Sequence, residues 1–180
     1  MIEKTSQQDG FILTETEDID FSLLRQVVEE EEPIKGFTGD NRWLSNFWSA
    51  SILFEGIVFP TTEHAYVYAK LMAEDQEKLK HGDGLKQLLA QTAGQMKRFG
   101  RAVPIRKNFD DIRISVMTEI TAAKYSSANP ELVKKLLATK NAYIEETNSW
   151  GDTFWGVNME GVGLNHLGKI IMARRAVLNG

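Results

Sequence analysis

The sequence predicts an α+β fold: a mainly helical single domain with a small β-sheet. Three observations carry that expectation. Segments with helical periodicity outnumber strand-like ones along the chain. One stretch, ASILFEGIVFPTTEH, has the alternation and central Glu55-Gly56 of a β-hairpin. The few strands do not alternate with helices at the spacing that βαβ units and a parallel sheet require.

The chain opens with an acidic extension, residues 1–33, carrying ten acids and two bases and ending in EEEEP. Its FSLLRQVVEEEE segment could form one short amphipathic helix, against the alternative of a solvated leader. The body, residues 34–180, carries 19 Lys and Arg against 15 Asp and Glu. This mild basicity suits a phosphorylated small molecule and is too weak for a duplex-DNA surface. IKGFTG reads as a short strand entering a turn. After the hairpin, Thr61 and Thr62 are N-cap candidates for a helix over residues 63–80. Asp83 is placed to cap a next helix, GLKQLLAQTAGQMKRF, ended by Gly100. Asn108 precedes a third, whose stripe of Phe109, Ile112, Val116, Met117 and Ile120 reads as core. Asn129-Pro130 opens a fourth in the cap-then-proline order. NAYIEET is a strand, WGDTFWGVNMEGVGLN a glycine-rich loop, and HLGKIIMARRAVL the last helix.

Composition narrows the chemistry. A chain of 180 residues with 42% hydrophobic and 26% charged residues supports one globular domain. No apolar run reaches the roughly 18 residues of a membrane span, and the N-terminus has no apolar segment of signal-peptide type. With no cysteine, disulfides, thiol nucleophiles and cysteine-bound metals are excluded, and a cytoplasmic setting is expected. The three histidines, His64, His81 and His166, show no H-E-x-x-H spacing, so no metal is expected. GLNHLGK mimics a phosphate-binding P-loop but has Ile170 where magnesium needs a hydroxyl, and no hydrophobic strand before it. The glycines and Asn165 there could still offer backbone N–H groups to an anion. No cofactor, membrane or protein partner is called for.

Candidate chemistry sits in FPTTEHAYVYAKL. On a helix, seven residues turn through about 700°, so Glu63 and Lys70 share a stripe with Val67 between them, continuing to Glu74 and Glu77. Tyr66 and Tyr68 flank it. A carboxylate and an amine beside apolar and aromatic surface acquire the shifted proton affinities that general bases and amine nucleophiles need. The alternative is a solvated helix face.

Six ordered motifs bear on that choice: L-S-N-F, T-x-E-H-x-x-x-x-x-K, G-R-x-x-x-x-R-x-x-[WF], L-L-x-T, D-x-x-W-G and G-x-N-x-L-G-x-x-[IL]-M-x-x-R. Together, over residues 36–176, they resemble the NADAR family (NAD- and ADP-ribose-associated), which includes the YbiA-like N-glycosidases. The resemblance implies a hydrolase of N-glycosyl bonds. Its substrate would be either a phosphorylated ribosylamino-pyrimidine of the riboflavin pathway or an ADP-ribosylated guanine base. The alternative is a module that binds ADP-ribose or a related nucleotide without cleaving it. Carried over by motif, Glu63, Lys70 and Asp152 become the catalytic candidates. Asn46, His64, Arg106, Phe109, Trp155 and Asn165 become the substrate-binding candidates, with Arg106 and Lys107 as phosphate contacts. Two positions depart from the family pattern: Val67, often glutamine, and Phe109, often tryptophan. The first loses an orienting amide and the second an indole N–H, so both bear on substrate identity more than on reaction type.

Overall fold

The hairpin is built as its turn residues dictate. Strands β1 (Ile34–Lys35), β2 (Ser49–Phe54) and β3 (Ile57–Thr61) begin the body, with a 3-10 helix, Gly39–Leu44, between the first two. Glu55 and Gly56 have φ of 47° and 76°, the left-handed pair that a tight hairpin turn requires. Antiparallel pairing sets Ile52 opposite Phe59, both fully buried, while Leu53 and Val58 face outward. This is a computed structural model, and it describes residues 31–180; the possible helix in the acidic extension lies outside the described residues.

Seven α-helices follow among the described residues: α1 (Thr62–Lys70), α2 (Ala73–Lys80), α3 (Gly84–Leu89), α4 (Ala93–Ala102), α5 (Phe109–Lys124), α6 (Pro130–Ala138) and α7 (His166–Asn179). A second strand pair, β1 with β4 (Ile144–Glu145), is parallel and separate from the hairpin. The result is the mainly helical α+β domain expected. No helix among the described residues is long and apolar enough to cross a membrane.

Three helix boundaries differ from expectation. The helix expected over residues 63–80 breaks at Leu71 and Met72, both extended, with no glycine or proline to announce it. The reason is tertiary. Leu71 is buried, the Gln76 side chain donates to the Tyr68 carbonyl at 2.9 Å, and the Arg106 N–H takes the Lys70 carbonyl at 3.0 Å. The carbonyls at the end of α1 thus find partners outside the helix. Glu74 and Glu77 therefore leave the Glu63 stripe, and Glu77 pairs at the surface with His81 at 3.0 Å.

The second segment also divides. Asp83 stands before α3 with a helical backbone and no capping bond from its side chain. A new start at Thr92 opens α4, with the reciprocal capping box to Gln95. Gly100 does not end α4 but lies buried within it. A Cβ there would come within 2.8 Å of Val67 Cγ2, so the glycine lets α4 close on α1. Asn129 heads α6, yet its side chain reaches across to Ser51, accepting from its N–H at 2.9 Å and donating to its carbonyl at 2.8 Å.

Two buried clusters make the core. One joins the hairpin to α1 and includes Ile52, Phe59, Val67, Phe109 and Ile120. The other joins the 3-10 helix to α6, β4 and α7 and includes Leu44, Leu136, Ile144 and Leu167. Helix α5 supplies Phe109 to the first and Met117 to the second. A cavity opens along this helix.

Candidate active site

The cavity has a volume of about 520 Å³, within the roughly 300–1,000 Å³ usual for small-molecule sites. Its floor is α1, whose residues Glu63, Tyr66, Val67 and Lys70 all face in. Thr61 sets the start of this helix by accepting the His64 N–H at 3.3 Å. Glu63 therefore lies in the first turn, where the helix dipole favours a carboxylate. Its own N–H donates to the Asn46 carbonyl at 3.0 Å, tying the L-S-N-F segment to the first turn. Helix α4 adds Lys97 and Arg101, and α5 adds Phe109, Asp110, Arg113 and Met117. Glu146, just past β4, joins Trp150, Asp152 and Trp155 of the glycine-rich loop on the remaining wall.

Burial sets the charge states. It raises the proton affinity of Glu63 above the ordinary carboxylate range, and Lys97, Lys70 and Arg101 pull it partly back. It lowers that of Lys70, whose ammonium donates to the Gly100 carbonyl at 3.1 Å and lies 5.8 Å from the Tyr66 ring centre. The Glu146 carboxyl is pushed up to about 7, first by burial and then by the Asp152 charge. Burial also raises the Tyr66 hydroxyl. Tyr66 meets Phe109 and Trp155 edge-on, at 5.3 and 5.6 Å between ring centres, so both rings are braced from one side.

Of the residues singled out in the sequence, Glu63, Lys70, Asp152, Asn46, Phe109 and Trp155 line this one cavity. His64, Arg106, Asn165 and Lys107 lie elsewhere. His64 is buried in the first turn of α1; its Nε2 donates to the Gln91 carbonyl at 3.0 Å, and its Nδ1 faces Thr61 Oγ1 at 2.7 Å. A carbonyl only accepts, so Nε2 carries the hydrogen. Arg106 turns to Asn108, donating from Nε at 3.1 Å. Asn165, with φ of 49°, stitches α7 to β4. Its Oδ1 accepts the Glu146 N–H at 3.1 Å and its Nδ2 donates to the Ile144 carbonyl at 2.9 Å. Lys107 is exposed and outside the lining.

Asp152 has one oxygen engaged. Oδ1 accepts the N–H groups of Phe154 and Trp155 at 3.2 and 2.9 Å, which folds the D-x-x-W-G turn and aims Trp155 inward. Asn148 locks the same loop, donating to the Asp152 and Val157 carbonyls at 2.8 and 3.0 Å.

Several lining residues escaped the sequence reading. Arg101 opens the G-R-x-x-x-x-R motif and Lys97 lies four residues before it on α4, so motif and spacing together could have flagged a shared basic face. Arg113 falls midway between Phe109 and Met117 on one α5 stripe, and its guanidinium lies 3.5 Å from the Phe154 ring centre. Glu146 carried no signal, since Glu145 beside it has the same chemistry. Lys124, buried in α5, donates to the Leu44 and Ser45 carbonyls at 3.0 and 2.8 Å and so holds the segment leading to Asn46. Burial pushes it down to about 7. Among the described residues, no group of three or more His, Cys, Asp and Glu is placed to hold a metal ion.

The NADAR domain profile matches residues 35–179, which span both core clusters and the whole cavity wall. This chain belongs to the NADAR family. Its NADAR domain is 30% identical over 134 residues to the N-glycosidase YbiA of Escherichia coli, covering 74% of this chain and 79% of that protein. It is 35% identical over 152 residues to a riboflavin biosynthesis protein of Vibrio vulnificus, covering 82% of this chain but 39% of that longer protein. The NMR structure of E. coli YbiA superposes with a TM-score of 0.68 at 28% identity, covering 84% of this chain and 88% of the other.

Proposed function

We propose that this NADAR domain is a hydrolase acting on the N-glycosyl bond of a phosphorylated ribosyl compound, and that a ribosylamino-pyrimidine phosphate is its substrate. The observation that carries the reading is the Glu63 carboxylate, half-buried at a helix start inside a cavity it shares with Lys70, Lys97 and Arg101. The names of the E. coli and V. vulnificus relatives support the bond type and the substrate class.

Breaking an N-glycosidic bond builds positive charge on the anomeric carbon. A carboxylate beside that carbon stabilises the charge and activates the attacking group. Glu63 takes this role. Arg101 and Lys97 take the phosphate in place of Arg106 and Lys107, because they face the cavity and guanidinium binds phosphate through two hydrogen bonds. Phe109 and Trp155 supply flat surfaces for the base or the sugar. Arg101→Ala is expected to raise KM about tenfold or more with a smaller change in kcat, read by initial rates against substrate concentration.

Lys70 provides the nucleophile: burial favours its neutral amine, which can attack the anomeric carbon and hold the opened sugar as an imine. Borohydride should trap a sugar adduct on the wild-type protein and none on Lys70→Ala. No adduct under saturating substrate would assign attack to water activated by Glu63.

The reading is tested by incubating the protein with a ribosylamino-pyrimidine phosphate and, separately, with ADP-ribosylated guanine in DNA. Free base and ribose phosphate from the first are the expected result. Release from the second alone would move the substrate to ADP-ribosylated bases. No release from either would leave a nucleotide-binding module.

A further inference from the structure

We infer that Glu146 is the acid that protonates the departing base, a role that rests on the N-glycosidase reading above. Its backbone is held from three sides. The N–H donates to Asn165 Oδ1 at 3.1 Å, the carbonyl accepts the Val157 N–H at 3.0 Å, and Gly156 packs so closely on that carbonyl that a Cβ would overlap it. Such a clamp fixes where the side chain enters the cavity. Glu63 enters the same cavity from α1, a separate element, so two carboxyl groups address one bound sugar.

The charged groups facing Glu146 are Asp152 of the loop, Lys97 of α4, Glu63 of α1 and Lys124 of α5. Burial and the two acids favour its protonated form; Lys97 and Lys124 oppose them, and the balance leaves it titrating at about 7. Glu63 is also raised by burial, but Lys97 and Arg101, and Lys70 while it is protonated, favour its ionised form. Environments that separate two carboxyl groups in this way divide the labour into acid and base. Asp152 is less suited to donate a proton, because its Oδ1 is occupied with the Phe154 and Trp155 N–H groups.

In the step itself, the bond between the anomeric carbon and the base nitrogen breaks, and its electron pair stays on nitrogen. The Glu146 carboxyl gives its proton to that nitrogen and is left as a carboxylate. The nucleophile, the Lys70 amine or water, bonds to the anomeric carbon and yields its proton to Glu63. With water, the products are the free base and the sugar phosphate; Glu63 then releases its proton to solvent and Glu146 takes one back. With Lys70, the bond from the anomeric carbon to the ring oxygen then breaks, and its electron pair stays on oxygen. That oxygen takes the proton held by Glu63, leaving a protonated imine that water hydrolyses to the free sugar phosphate and the amine.

The test is the pH dependence of kcat/KM, together with kcat, on two ribosyl phosphates, one with an electron-rich amine as leaving group and one with an electron-poor base. Wild type should lose activity as pH rises through about 7, because the acid must hold its proton. Glu146→Gln should lower kcat about 100-fold on the electron-rich substrate, abolish that alkaline limb, and lose far less on the electron-poor one. Retention of more than a third of wild-type kcat on the electron-rich substrate, or an unchanged alkaline limb, would overturn the assignment. If Glu146→Gln does not fold, Glu146→Asp decides. Its proton sits one methylene farther back, so the loss should exceed fivefold on the electron-rich substrate only; equal losses on both would overturn the role. A wild-type protein that releases base from neither substrate sinks the N-glycosidase reading itself, whereas normal wild-type turnover with an indifferent Glu146 variant sinks this inference alone.

Discussion

Glu63→Gln is expected to lower kcat about 10³-fold while KM changes little. The substitution keeps the side chain's shape and removes only its charge. That charge is needed where positive charge develops on the sugar, and much less in the ground state, so turnover should fall and binding should survive. Stability gives an internal control. Burial disfavours the ionised Glu63, and Lys97, Lys70 and Arg101 offset this only in part. The neutral amide should therefore leave the melting temperature unchanged or raise it. A variant that melts like wild type and turns over like wild type would remove Glu63 from the mechanism.

Gly156→Ala should be severely damaging in the glycine-rich loop. Its Cβ would fall on the Glu146 carbonyl oxygen and within 2.8 Å of Asn148 Nδ2. Neither neighbour is free to yield. The Glu146 carbonyl accepts the Val157 N–H at 3.0 Å, and Asn148 Nδ2 bridges the Asp152 and Val157 carbonyls. Relief requires moving the loop away from β4, which displaces Glu146, Asp152 and Trp155 together. The expected cost is about 3 kcal/mol of stability and at least 100-fold in kcat/KM. Denaturant unfolding and initial rates check it. Gly94→Ala is the matched control: its Cβ meets nothing within 4 Å in helix α4, and helix propensity should make it neutral to slightly stabilising, by up to about 1 kcal/mol. Equal behaviour of the two variants would show that the close approach at Gly156 does not matter.

The hairpin, the cap at Thr61 and the last helix were legible because each is set by near neighbours. Glu55-Gly56 adopts the turn that few other pairs allow, and Thr61 satisfies an N–H only three residues away. The break at Leu71 and Met72 was not legible, because what ends α1 is a hydrogen bond from Gln76 and another from Arg106, contacts that exist only once the chain has folded back. Gly100 reads as a stop signal in one dimension and is a packing notch in three. In the site, Glu63 and Lys70 could be placed together because helix geometry relates them. Lys97, Arg101, Arg113 and Glu146 reach the same cavity from three other elements, and nothing local relates those elements.

The sequence alone determined the class of fold, the helix that carries Glu63 and Lys70, and membership of the NADAR family through its ordered motifs. Those rest on short-range geometry and on the identity of residues at set spacings. Only the tertiary structure decided which cations face the cavity, that Arg106, His64 and Asn165 turn away from it, and that Glu146 enters it. Which way a charged side chain faces, and how strongly it holds its proton, depends on how much water the surrounding elements exclude, and that is a property of the packed chain.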